Sequence, residues 1–117
     1  MSFRFETLEI WRLAIEYSQR IYEISKRFPK SELYVLTGDL NRAALSIPTN
    51  IAEGSGSETN REFKRYLSIA TKSAFETASQ LHISKMRRYI TQDEFESLYA
   101  EAEVVVRKIK SFRRTLN

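Results

Sequence analysis

Ser46, Asn50 and Glu53 recur at helical spacing within the run Ser46-Ile-Pro48-Thr-Asn50-Ile-Ala-Glu53-Gly54, with Arg42 one turn earlier, so they share one face of a helix. A hydroxyl, an amide and a carboxylate so placed are the raw material either of a hydrolytic site or of a hydrogen-bonded network. Hydrolysis needs a nucleophile beside a base that a third group orients, and no such spacing occurs here. The stripe therefore reads as a device that fixes the register of two helices. In an antiparallel hairpin turning near Gly56, Glu53 should fall beside Arg61, and Arg42 near Ser73 or Glu76. Pro48 interrupts the same helix: it has no N–H for the Ala44 carbonyl, which predicts a kink.

The remaining chemistries are poorly supplied. Cysteine is absent, which excludes disulfides, thiolate metal sites and cysteine nucleophiles. His82 is the single histidine, with Ser79 and Met86 as its neighbours one turn away, so it builds no metal site. No Glu-x-x-His pair of the di-metal bundles occurs, and Gly54-Ser-Gly56 lacks the lysine and strand of a phosphate loop. The expectation is a protein without cofactor, metal or enzymatic activity.

Two basic clusters have the chemistry to contact a polyanion. Arg61, Arg65 and Lys72 line one helix face with Lys64 at its flank; later, Arg107, Lys110 and Arg114 share a side, with Lys108 and Arg113 nearby. Lysine and arginine neutralise phosphates and release counterions, which gives salt-sensitive binding of RNA or DNA without sequence preference. The charge is unevenly placed: the first 57 residues balance, and the last 60 carry the whole excess of +4. The competing reading is a solvated helix surface on a structural or protein-binding scaffold that touches no nucleic acid.

The elements that must position these groups are four helices. Three glycines and two prolines in 117 residues leave little material for turns. The first helix spans about 7–28, its apolar residues ending at Phe28-Pro29; the second runs from an N-cap at Ser31 to Glu53. Thr59 and Glu62 have capping-box spacing and open a third helix of about 30 residues reaching toward Tyr89. Thr91 and Glu94 repeat the box ahead of Phe95, Leu98, Tyr99, Ala102, Val105, Val106, Ile109, Phe112 and Leu116. Short connections pack such helices as an all-α, antiparallel up-down-up-down four-helix bundle, one domain over residues 1–117. No apolar run approaches a membrane span, so a cytoplasmic protein without membrane contact is expected.

On the first helix apolar side chains cover about 220° of the circumference, where about 100° suffices to face a core. The third helix shows a similar surplus. Ile10, Leu13, Tyr17, Ile24, Phe75, Ile83 and Met86 are therefore expected to line contacts between copies of the chain, making a homo-oligomer.

The block Asp39-Leu-Asn-Arg42-Ala-Ala-Leu-Ser46-Ile-Pro48-Thr-Asn50-Ile-Ala-Glu53-Gly54 resembles the signature of the bacterial four-helix-bundle family encoded by intervening sequences of 23S ribosomal RNA genes, whose members are often labelled ribosomal proteins. Phe5, Leu8, Trp11, Phe28-Pro29, Glu32, Leu36, Glu62-Phe63, Tyr66-Leu67, Ala70, Ser73, Glu76 and Gln80-Leu81 extend the resemblance along nearly the whole chain. It implies an up-down bundle and a ring of five copies. The family is also similar to the accessory proteins of diversity-generating retroelements, basic pentamers that work with a reverse transcriptase and nucleic acid. Gly38-Asp39 departs from the family pattern, where glutamine is common and a second basic residue lies near Arg42, so the resemblance implies little charge-dependent binding at the second helix.

Overall fold

Turn-poor sequence and two clean capping signals produce four long helices in a computed structural model that describes residues 2–117. They are α1 (Glu9–Ser25), α2 (Gly38–Ser55), α3 (Asn60–Met86) and α4 (Gln92–Arg114). Each packs beside its neighbours in sequence, α4 returns to α1, and the result is an all-α four-helix bundle measuring 43 × 23 × 22 Å. Among the described residues there is no strand, and no helix is long and apolar enough to cross a membrane.

Three expectations about the helix starts and ends change. α1 is shorter than 7–28, because residues 4–7 form a separate 3-10 turn and the helix closes at Ser25. Ser31 is not the N-cap of α2: Lys30–Glu32 forms a 3-10 turn, Leu33–Thr37 a π-helical turn, and α2 begins at Gly38 without a side-chain cap. The capping box at Thr59 is half formed, for Thr59 Oγ1 accepts from the Glu62 N–H at 3.2 Å while the Glu62 carboxylate turns to Arg65. Of the two boxes expected, the one at Thr91 and Glu94 is complete, with bonds of 3.1 and 2.8 Å.

Arg27 reaches from the end of α1 to this same Glu94, and with the Thr91 N–H it draws the carboxyl down to about 2. A carboxyl more acidic in the folded protein than in the open chain adds stability above its ordinary value of 4.5 and surrenders it as the pH falls through about 2. Glu94→Gln is expected to flatten the loss of stability between those two pH values, a result that urea melts at stepped pH would read directly.

Buried residues from all four helices form one core, including Ile21, Leu40, Ile47, Ile51, Phe63, Leu67, Leu81, Leu98 and Ile109. Tyr17 belongs to it and is 0% exposed. Its ring crosses the bundle so that its hydroxyl shares a 2.8 Å hydrogen bond with Thr77 Oγ1 on the diagonal helix α3, and burial pushes the phenol up to about 12. Ile10 is buried as well, and Leu13, Ile24 and Ile83 pack partly buried against the core. The expectation that Ile10 and Tyr17 meet a second copy is therefore corrected. A helix in a four-membered bundle meets two neighbours and the diagonal partner, so it hides a wider apolar arc than a two-neighbour count allows.

At one end of the bundle Glu32 acts as a clasp. It is buried, and its Oε2 accepts from Arg87 Nη1 at 2.8 Å and from the Tyr89 hydroxyl at 2.7 Å, which hold its carboxyl below the usual range, the tyrosine bond foremost. The connection between α1 and α2 is thereby tied to the one between α3 and α4. Next to the clasp, Arg88 ends α3 with φ of 64°, the left-handed position in which a side chain is strained and glycine is not. Arg88→Gly is expected to stabilise the fold by ~1 kcal/mol, visible as a higher melting temperature.

Candidate functional site

The stripe on α2 is assembled much as its spacing indicates. Ser46 Oγ lies 2.8 Å from Ser73 Oγ on α3, and Asn50 Nδ2 donates to the Ser46 carbonyl at 2.7 Å and to its hydroxyl at 2.9 Å. Arg42 Nη2 donates to Glu76 Oε2 at 2.6 Å. Glu53, by contrast, is exposed and makes no ion pair with Arg61 among the described residues. α2 continues through Pro48, which is buried. Immediately after Glu53, a Cβ on Gly54 would lie 2.7 Å from Tyr66 Cβ and 2.8 Å from Phe63 Cδ1, so α2 and α3 touch there through a bare backbone. Two hydroxyls, an amide and an outlying ion pair contain no base aimed at a nucleophile; the arrangement fixes the register of α2 on α3.

A different place gathers the groups able to engage a ligand. α3 and α4 leave between them a groove of about 570 Å³. Its floor is small and apolar, made by Ala74, Ala78 and Ala102, while Phe75, Tyr99 and Val106 form its walls. Arg107, Lys110 and Arg114 stand along the α4 rim with Glu103. These three cations recur at intervals of three and four residues, the spacing that keeps side chains on one side of a helix. Among the described residues none of the three has a carboxylate within ion-pairing reach; Lys110 lies 5.7 Å from the Phe75 ring and Arg114 donates to Ser111 at 3.3 Å.

The other basic candidates divide. Lys108 is engaged by Glu9 at 3.4 Å, and Arg113 Nε donates to the Lys64 backbone carbonyl at 3.1 Å, tying α4 to the start of α3. Arg65 pairs with Glu62 at 2.7 Å and lies over the Tyr66 ring. Arg61 and Lys72 are exposed, and the Lys64 side chain is partly covered. The α4 cluster is thus brought to one groove, whereas the α3 cluster is partly consumed in local contacts.

The expected interface residues Phe75 and Met86 are both exposed, at 58% and 76%. Phe75 serves as a wall of the groove. Tyr99, read from its spacing as a core position of α4, is half-buried and faces the same groove. Nothing in the sequence marks it, because the groove exists only once α3 and α4 are side by side. Beyond Tyr99 the aromatic surface continues: the His82 ring lies 5.6 Å from that of Tyr99 and 4.7 Å from that of Phe95, with Lys85 Nζ above Phe95 at 4.4 Å. His82 has aromatic neighbours rather than ligands, and no group of three or more histidine, aspartate or glutamate residues able to hold a metal occurs among the described residues.

Comparison with known proteins agrees with the resemblance seen in the sequence. The sequence profile of the family described as 23S rRNA-intervening sequence protein matches residues 6–111. A crystal structure of a protein with unknown function from the S23 ribosomal protein family of Bacteroides thetaiotaomicron is similar at a TM-score of 0.82 and 25% identity, covering 89% of this chain and 97% of that one. Among curated proteins no significant match is found.

Proposed function

This chain belongs to the 23S rRNA-intervening sequence protein family, and from that premise we propose that it acts without enzymatic chemistry, as a cytoplasmic, homo-oligomeric bundle contacting the phosphates of RNA or DNA. The observation that carries this reading is the row of Arg107, Lys110 and Arg114 along an open groove, free of carboxylate partners while most other arginines of the bundle are paired. Cations without a carboxylate partner need break no ion pair to turn toward a phosphate, whereas paired ones must. Association of copies is supported by large apolar side chains left open on the protomer, among them Ile15 and Tyr22 on α1 and Leu45 on α2. A ring of five, as the family resemblance implies, would repeat the basic row five times around one axis.

The test is binding of a generic RNA across a salt series. A row of three cations predicts a log–log slope of about −2 per protomer engaged on single strands. Equal retention at low and high salt, or no retention at low salt, overturns the reading.

A second reading, a scaffold that binds protein alone, is favoured by the exposed run Leu33-Tyr34-Val35, in which Tyr34 is 93% exposed. It predicts material that is free of nucleic acid after purification at low salt, with a 260/280 nm absorbance ratio typical of protein alone.

A further inference from the structure

Resting on the nucleic-acid reading just given, we propose that the groove between α3 and α4 is a binding site for single-stranded nucleic acid, with bases stacked on its aromatic walls Phe75 and Tyr99 and phosphates held by the α4 cations, with Lys72 across from them. Phe75 offers more than half its surface to solvent, on a helix whose inward positions Ala74 and Ala78 are small. At about 100° per residue, Phe75, His82 and Met86 fall within one narrow strip of α3, and Lys72 sits only about 60° to the side of Phe75. The α4 rim supplies Arg107, Lys110 and Arg114 on the opposite side of that strip. Aromatic rings flanked by a row of three cations on one side and by Lys72 on the other suit an unpaired strand, because every base has a flat face and every linkage a charge.

The occupant follows from the chemistry of the lining. A duplex presents phosphates but keeps its base faces stacked inside, so it could use the cations and would leave Phe75 and Tyr99 unused. A helix from a second copy would need carboxylates to meet three unpaired cations. The groove's volume of about 570 Å³ has room for a planar ring over its alanine floor, and Glu103 is the one carboxylate among its lining residues.

The experiment compares a single-stranded oligonucleotide, its duplex and inorganic polyphosphate, binding to the full chain at fixed low salt, with oligomer mass measured alongside. The wild-type protein is expected to prefer the single strand, and Phe75→Ala to weaken that binding about tenfold or more while leaving polyphosphate unchanged. Phe75→Trp should restore the affinity, and its emission, above the Trp11 background, should be quenched by the oligonucleotide and not by polyphosphate. Equal binding of single strand and duplex, unaffected by Phe75→Ala, overturns this inference and leaves phosphate contact standing. No binding of any of the three overturns both. A fall in oligomer mass on Phe75→Ala overturns the inference by assigning the groove to contact between copies.

Discussion

Replacing Gly54 by alanine is expected to lower stability by ~2 kcal/mol or more, a drop in melting temperature of about 10 °C. Two effects compete. Alanine is the better helix former by about 1 kcal/mol, which would raise stability at an unencumbered helix position. Here the new methyl would sit 2.7 Å from Tyr66 Cβ, an atom that no rotamer change can move, and 2.8 Å from Phe63, whose ring is buried in the core. Relief requires α2 and α3 to part, and parting them loosens the bonds between Ser46 and Ser73 and between Arg42 and Glu76 higher up the same contact. Gly56→Ala provides the control, since the nearest neighbour of its Cβ would be the Glu53 carbonyl oxygen at 3.5 Å. That variant should melt within about 0.5 kcal/mol of the parent. A Gly54→Ala protein melting at or above the parent would show that close approach is not what glycine provides there.

Reversing Arg107, Lys110 and Arg114 together to glutamate is expected to reduce affinity for RNA at least 100-fold at low salt, and to remove most of the salt dependence. Three phosphate contacts are lost and three repulsions replace them, and the log–log slope should shrink by about 2. The loss must be local rather than a consequence of net charge. Reversing Arg12, Lys26 and Lys30, which lie on α1 and the turn after it, changes the charge by the same amount away from the groove, and that variant should keep most of the binding. Equal losses in the two variants would mean that overall charge, and no particular surface, governs the interaction.

How far the sequence carries depends on the distance over which each feature is determined. Features fixed within a turn or two of helix are legible: the complete box at Thr91 and Glu94, the Thr59 cap that starts α3, and the row on α4 whose spacing places three cations together, while α3 stops at Met86, short of Tyr89. The pairing of Arg42 with Glu76 is also legible, because a short turn at Gly56 sets the antiparallel register, but that register does not foretell Ser46 opposite Ser73 and wrongly places Glu53 beside Arg61. What escapes is set by partners far along the chain. Tyr17 looks like surplus apolar surface until the diagonal helix offers Thr77 to its hydroxyl. The π-helical turn at Leu33–Thr37 has no local signature. The groove is a property of two helices at once, so Phe75 is visible as exposed surface and Tyr99 is not visible as a wall.

The convergence of Arg87 and Tyr89 on Glu32 reaches beyond local geometry. The bundle is two helical hairpins laid side by side, and hairpins of this length can in principle open one at a time. Withdrawal of either would strand a carboxylate already removed from water, so each hairpin is held to the other's fate. The bundle should consequently melt as one cooperative unit, with amide exchange near the clasp following global unfolding.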